Sequence, residues 1–336
     1  MKKAPLLLLS CLLAFAVPAG ERADTILKLL NTRTSSSPRA YALAAAEVAA
    51  DARRGSLLPQ FVVAVLSETS DWPASERLAP EVRTRYLENS APRIKEMAEA
   101  GGNAFAWYLL YLKDRDETAL QKAVTGGNVQ ALNLAGTSRL MAVLGSSSDD
   151  DLEAEGVKRT CFGYFRQAAD MGDANGLNNL GLCHQNGYGC PKDEAAAFAC
   201  FSKAAQQGHA EAVNNLGRFH REGICVKKDY VAALRCFRLS AGQGNVSGQL
   251  NYSLALIRGE GIEADPEKGL SQLESMASRG VEEAMDCLSE CYARGVGKVE
   301  PDAKKSLYWM FRARAARGDA NAAKWLKEND ESTHDR

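Results

Sequence analysis

Long apolar runs are what this 336-residue chain most conspicuously lacks. Its longest, Leu6 to Ala16, is too short to cross a bilayer as a helix, and no later stretch does better. An excess of charge is also missing: 41 Lys and Arg stand against 42 Asp and Glu, a net charge of −1, so no general basic surface argues for nucleic acid. Histidines number only four. The sequence holds no Ser-x-x-Lys, Lys-Thr-Gly, His-Glu-x-x-His or Walker A pattern, so the common nucleophilic, zinc-hydrolytic and phosphate-binding signatures have no foothold. Glycine, by contrast, is plentiful at 28 residues, and its placement is regular.

Gly172, Gly208, Gly244 and Gly280 follow one another at intervals of 36 residues, and Gly318 comes after a further 38. Self-similarity at such a period marks stacked helical hairpins. The unit from Asp173 to Gly208 predicts a first helix over Ala174 to Gln185, with Gly176, Leu180 and Gly181 on its inner side. Gly176 and Gly181 lower helix propensity, so they imply close approach of a partner helix; Ala212 and Gly217 recur at the same offsets. Asn186-Gly187-Tyr188-Gly189 then ends the helix and Pro191 forbids its continuation. Asp193 is placed to cap a second helix from Glu194 to Gln206, whose apolar stripe is Phe198, Phe201 and Ala205.

With those residues set out, the chain resembles the Sel-one-like repeat family, short helix-pair relatives of tetratricopeptide repeats. Gly176, Asn179, Leu180, Gly181, Gly187, Gly189, Asp193, Ala197, Phe201, Lys203, Ala204, Ala205 and Gly208 match its pattern. In the next copy Ala212, Asn215, Leu216, Gly217, Gly223, Val226, Asp229, Ala233, Phe237 and Gly244 match. His184 and His220 stand where the family has tyrosine, and Cys200 and Cys236 replace the first aromatic of a pair. The resemblance is clear over 173–326 and weak before it. It implies an all-α fold, a right-handed α-solenoid of stacked antiparallel helix pairs. It also implies a non-enzymatic scaffold or adaptor that binds a protein or peptide partner in the solenoid groove, without a cofactor. An envelope hydrolase of β-lactamase or peptidoglycan-related type is the rival expectation, because some family members carry such labels. A chaperone-like envelope assembly role is a third.

In chain order, residues 1–19 read as a signal peptide: Lys2 and Lys3, then the apolar run, then Val17-Pro18-Ala19 before Gly20. Leu8-Leu9-Ser10-Cys11 resembles a lipobox, which would put a lipid on Cys11 instead. Either processing predicts a periplasmic or secreted protein of a bacterial envelope. Residues 20–39 are a linker with a short helix, and 40–127 are degenerate helical repeats. Helices are expected over Tyr41 to Ala52, Leu57 to Glu68, Ser75 to Glu88 and Pro92 to Ala100, broken by Pro and Gly, then a shortened repeat over Gly102 to Gly127. Residues 128–172 form a repeat lengthened by Gly145 to Gly156, an acidic stretch expected to be a solvated loop. Four repeats occupy 173–318, and 319–336 are a capping helix and polar tail.

If Gly176, Leu180 and Gly181 face inward, the opposite side of each first helix should line the groove. That predicts Asn178, Leu182 and Gln185, then Asn214, Arg218 and Arg221, then Leu250, Leu254 and Ile257, then Asp286 and Glu290 with Ala293. The third set is wholly apolar, with arginines before it and acids after it. Among eight cysteines beyond Cys11, Cys183 and Cys200 are the candidate disulfide, both on one intra-repeat interface, with buried thiols acting as small apolar groups the alternative. His184 and His220 with Cys183, Cys190 and Cys225 carry zinc-ligand chemistry. Equivalent positions in adjacent hairpins lie roughly 10 Å apart, too far to share one ion, so no metal is expected.

Overall fold

The computed structural model describes residues 38–54, 56–67, 73–145 and 151–330. The leader, Cys11 and most of the 20–39 linker lie outside them. Among the described residues there are sixteen α-helices and no strand, and consecutive helices pack in antiparallel pairs as an α-solenoid. They fall into two compact units, one reaching Ala212 and the other beginning at Val213.

The first unit opens with α1 (Pro38–Arg53) and α2 (Leu57–Leu66). A single 3-10 turn, Ala74–Glu76, then leads into α3 (Pro80–Glu99). This corrects the expectation of two helices broken at Pro92: α3 runs through that proline. Tyr86, Ser90, Ile94, Met97 and Ala98 keep one buried stripe at helical spacing on both sides of it. Their burial outweighs the roughly 3 kcal/mol an interior proline costs. The shortened repeat is α4 (Ala104–Asp114) and α5 (Glu117–Thr125), capped by Asn103 and Asp116. Next come α6 (Val129–Gly145) and α7 (Asp151–Asp170). The acidic stretch expected as a loop therefore contributes its second half to the first turns of α7, because Leu152, Ala154 and their neighbours suit a helix that is already being extended.

The best-formed repeat of this unit is α8 (Ala174–Asn186) with α9 (Glu194–Gln206), and it matches the expected boundaries to within a residue. Gly181 lies against the Phe201 ring, where an added Cβ would stand 2.7 Å from a ring carbon. Gly136 and Phe165 repeat that contact one hairpin earlier. The core between α6, α7 and α8 is Leu140, Cys161, Phe165, Leu180 and Cys183.

α10 (Ala210–Glu222) begins at the end of the first unit and continues into the second. The second unit adds α11 (Tyr230–Gly242), α12 (Val246–Arg258), α13 (Pro266–Ser278), α14 (Glu282–Arg294), α15 (Ala303–Ala316) and α16 (Ala320–Asp330). Its main core gathers Ile257, Leu273, Met276, Leu288, Cys291 and Tyr292. Phe311 of α15 stacks on Trp325 of α16 at 4.2 Å, which anchors the last helix.

One loop device recurs in both units. The backbone N–H of each second-helix cap, Asp193, Asp229, Asp265 and Asp302, donates to the carbonyl of His184, His220, Leu256 and Tyr292 respectively, at 2.8–2.9 Å. Each Asp carboxylate in turn accepts from the N–H three residues on, at 2.9–3.0 Å. The residue at the family's tyrosine position thus closes the loop through its backbone, which is why tyrosine, histidine and leucine all serve there. In the Gly-x-Gly turns the second glycine presses on a preceding helix: Gly261 on the Tyr230 carbonyl and Gly297 on the Ile257 carbonyl. Cys225 occupies that place in its own turn and holds φ 58° with an exposed side chain. A left-handed conformation costs a non-glycine residue roughly 1 kcal/mol or more. Cys225→Gly is expected to raise the thermal midpoint by roughly 1–3 °C. A lower midpoint in a melt of the variant would show that the cysteine side chain supplies more than its backbone costs.

Candidate interaction surface

The outer side of the first helices is a half-buried strip, not an open wall. In the first unit Asn178 is buried while Leu182 and Gln185 are half-buried. In the second, Asn214 is buried, and Arg218, Arg221, Leu250 and Leu254 are half-buried. Asp286, Glu290 and Ala293 are exposed. Ile257 is fully buried, which corrects its assignment to the groove. It lies under Gly269 of α13 and its carbonyl receives Gly297, so the helix end turns that offset inward. Leu250 and Leu254 pack along the edge of the same core, one turn apart on α12.

Asn178 and Asn214 are buried because their offset meets the following first helix. The Asn251 amide donates to Asn214 Oδ1 at 2.8 Å, and Arg221 donates to Asn251 Oδ1 at 3.2 Å. Asn178 hydrogen-bonds Glu211, and Asn133 donates to Asp173 Oδ2 at 2.8 Å. These amides tie one hairpin to the next. The charges flanking Leu250 and Leu254 have partners within the chain: Arg221 with Glu222 at 3.1 Å, Arg317 with Glu282 at 3.0 Å and with Asp286, and Glu290 with Arg294 at 3.2 Å. Solvent-exposed pairs of this kind contribute up to about 1 kcal/mol each, so a ligand's charges can exchange with them.

A line of titratable groups at the first-helix starts of the first unit, His209 buried and Asp173 and Glu211 half-buried, escaped the sequence reading. Asp173 caps α8 through the Gly176 N–H at 2.8 Å, and burial raises its carboxyl above the usual range despite that bond and the one from Asn133. His209 caps α10: its Nδ1 accepts from the Ala212 N–H at 3.2 Å while Nε2 lies 3.1 Å from Asn175 Oδ1. Nδ1 must be unprotonated to accept, so Nε2 carries the hydrogen. Burial pushes the imidazole down to about 4. Burial likewise raises Glu211, against the pull of its bond to Asn178. The signal was available as a polar residue just before each first helix, Asn128, Asp173, His209 and Asn245.

Cys183 and Cys200 belong to one core cluster, and both are free thiols. Burial, with Cys190 and Cys161 nearby, pushes Cys183 up to about 12. Burial also pushes Cys287 and Cys291 up to about 11. These groups stay protonated at neutral pH and pack as small apolar side chains. His184 sits edge-on to Phe162 at 5.5 Å, with Nδ1 3.7 Å from Cys190 Sγ. No group of three or more metal-binding side chains converges among the described residues. Nor is any of their helices long and apolar enough to cross a membrane.

A separate cleft of about 740 Å³ opens in the second unit between the loop preceding α11 and the turn at Gly261. His220, Val226, Lys227, Lys228, Tyr230 and Val231 line it, and the Lys228 ammonium lies 5.0 Å from the centre of the Tyr230 ring.

Comparison with known proteins matches the Sel1 repeat over residues 151–173, 174–209, 210–245, 246–281 and 283–316. A search of curated proteins finds no match. Among solved structures, the chain is similar to a Sel1 repeat protein from Oxalobacter formigenes, with 29% identity and a TM-score of 0.50 over 68% of this chain and 88% of that one. It is also similar to c5321, described as a protective antigen present in uropathogenic Escherichia coli strains displaying an SLR fold, at 22% identity and a TM-score of 0.49. That alignment spans 85% of this chain and 59% of c5321. With five tandem matches on paired helices that share one loop closure, the chain belongs to the Sel1-like repeat family.

Proposed function

We propose that this chain is an exported, non-enzymatic scaffold that holds a protein or peptide partner against the first-helix face of its repeats. Sel1 repeat proteins are generally protein-interaction scaffolds. The observation that carries the reading is the strip in the second unit. Leu250 and Leu254 offer half-buried apolar surface between Arg218 and Arg221 on one side and Asp286 and Glu290 on the other. An apolar centre supplies affinity, and unlike charges at its two ends set the orientation of a bound segment. Export rests on Lys2, Lys3, the Leu6 to Ala16 run and the small residues before Gly20, and it assigns the protein to a bacterial envelope, periplasmic or secreted.

A photo-reactive side chain at Leu254, activated in cells of the native host, is expected to give a discrete protein adduct. The same group at the exposed Arg235 of α11 should give none. Capture at Arg235 with none at Leu254 or Leu250 would move the partner off this face. Intact-mass measurement of the purified native chain is expected to show a start at Gly20. A diacylated start at Cys11 would make it a lipoprotein, and a retained Met1 would overturn export.

A further inference from the structure

The strip of the second unit has a register as well as a charge order. Arg218, Leu254 and Glu290 occupy the same place on α10, α12 and α14, each two turns into its helix. Asn214, Leu250 and Asp286 form a parallel row one turn earlier, with Asn214 buried beneath it. The Asn251 to Asn214 bond ties α12 to α10, and Leu250 and Leu254 pack against the core that holds Met285, Leu288 and Cys291 of α14. The charges of the outer row pair within their own helices, not with each other. Arg218 lies 4.0 Å from Glu222, and Glu290 lies 3.2 Å from Arg294. Arg221 shares Glu222, so two guanidinium groups stand against one carboxylate at this end. At the other end Glu282, Asp286 and Glu290 stand against Arg317 and Arg294. Glu283 is a further exposed acid there, and Arg258 of α12 pairs with Glu260 at 3.8 Å. One end keeps a positive excess and the other a negative one.

We propose that the segment held here is a polyproline-II stretch whose first, fourth and seventh side chains are a carboxylate, an apolar group and a cation, in either chain direction. The carboxylate meets Arg218, the apolar group Leu254 and the cation Glu290. This rests on the reading that the first-helix face holds the partner, and it adds the partner's conformation and sequence pattern. Equivalent positions on adjacent first helices lie roughly 10 Å apart. A polyproline-II chain turns once every three residues and rises about 3.1 Å per residue, so every third side chain returns to one side about 9.3 Å further on. The two pitches coincide. A β-strand returns a side chain to the same face about every 6.6 Å and loses step after one hairpin. A helix, roughly 10 Å across, needs a broader apolar bed than two leucines one turn apart on α12. A preformed polyproline-II segment also loses little entropy on docking, which suits so narrow an apolar centre.

Fluorescence anisotropy with a dye-labelled peptide, Glu-Pro-Pro-Leu-Pro-Pro-Lys, tests this. A saturable rise is expected, with binding about tenfold weaker when both ends are Glu or both are Lys. Glycine in place of the prolines should weaken it too. Arg218→Glu makes both ends of the row acidic, so preference should pass to the peptide with two lysines. Glu290→Lys makes both ends basic and should favour the peptide with two glutamates. Neither side chain is buried, and an unchanged melt shows that each variant folds. No saturable binding of the first peptide, equal binding of all three, or an unshifted preference in both folded variants overturns the proposal. Tighter binding of a helix-forming peptide with the same three side chains at heptad spacing overturns it as well. A discrete photo-adduct at Leu254 in native cells alongside such a failure would confine the error to the segment's conformation and pattern. Absence of that adduct would remove the face itself.

Discussion

Gly217→Leu is expected to destabilise the second unit by about 3 kcal/mol, the upper end of what overpacked interiors usually lose. Gly217 sits mid-way along α10 with Phe237 of α11 directly over it. An added Cβ would lie 2.6 and 2.7 Å from two Phe237 ring carbons and 3.1 Å from Cys236 Cβ. Phe237 is buried, and close-packed interiors leave a ring little room to shift, so the helices must separate. Separation also strains the loop bond from the Asp229 N–H to the His220 carbonyl, which spans the same hairpin at 2.8 Å. Chemical denaturation of the variant against wild type measures the loss. Gly242→Leu is the control: an added Cβ there meets nothing within 4 Å, so no overpacking arises, and the higher helix propensity of leucine favours the helix end if anything. Equal midpoints for Gly217→Leu and wild type would mean that α10 and α11 do not pack through this face.

The second large effect is a pH dependence centred on His209. Its folded pKa of about 4 lies below the ordinary 6.5, so the unfolded chain binds the proton more readily. The stability His209 contributes is complete above about pH 6.5 and is lost as pH falls toward 4. The gap corresponds to about 3 kcal/mol, at 1.36 kcal/mol per pH unit. Protonation turns Nδ1 from an acceptor into a donor aimed at the Ala212 N–H, so the α10 cap is lost with it. Asp173 and Glu211 oppose the trend: their carboxyls are raised, so the fold gains relative stability as they take up protons. His209→Asn separates the contributions, since asparagine caps α12 at the equivalent Asn245 and does not titrate. Unfolding free energies at pH 7, 5.5 and 4 should fall more steeply for wild type, by about 3 kcal/mol over the range. Parallel profiles would show that His209 does not hold its proton-free state in the fold.

Much of the repeat was legible from residue type and spacing. The boundaries of α9, the Asp193 cap and the close approach of a partner helix at Gly181 and Gly217 follow from local rules: a cap needs a side-chain acceptor, and a tight crossing needs a missing Cβ. That an aromatic ring is what meets each glycine came only from the structure. Such rules depend on neighbours a few residues away. The failures share a different character. Pro92 reads as a helix break until the buried stripe from Tyr86 to Ala98 shows what would be lost by breaking there. Ile257 reads as groove because its offset from Gly248 matches that of Arg221; Gly269 and Gly297, contributed by later elements, put it under cover.

The sequence by itself determined the period, the helix pairs, their caps and the absence of the standard catalytic signatures, because each is a property of a short stretch of chain. Only the tertiary structure decided which groove positions are open, and that the asparagines at 178 and 214 join hairpin to hairpin. Those outcomes depend on which helix covers which face, and that is settled by side chains brought together from distant parts of the chain. A residue's own identity carries its chemistry, but burial and partners assign its role.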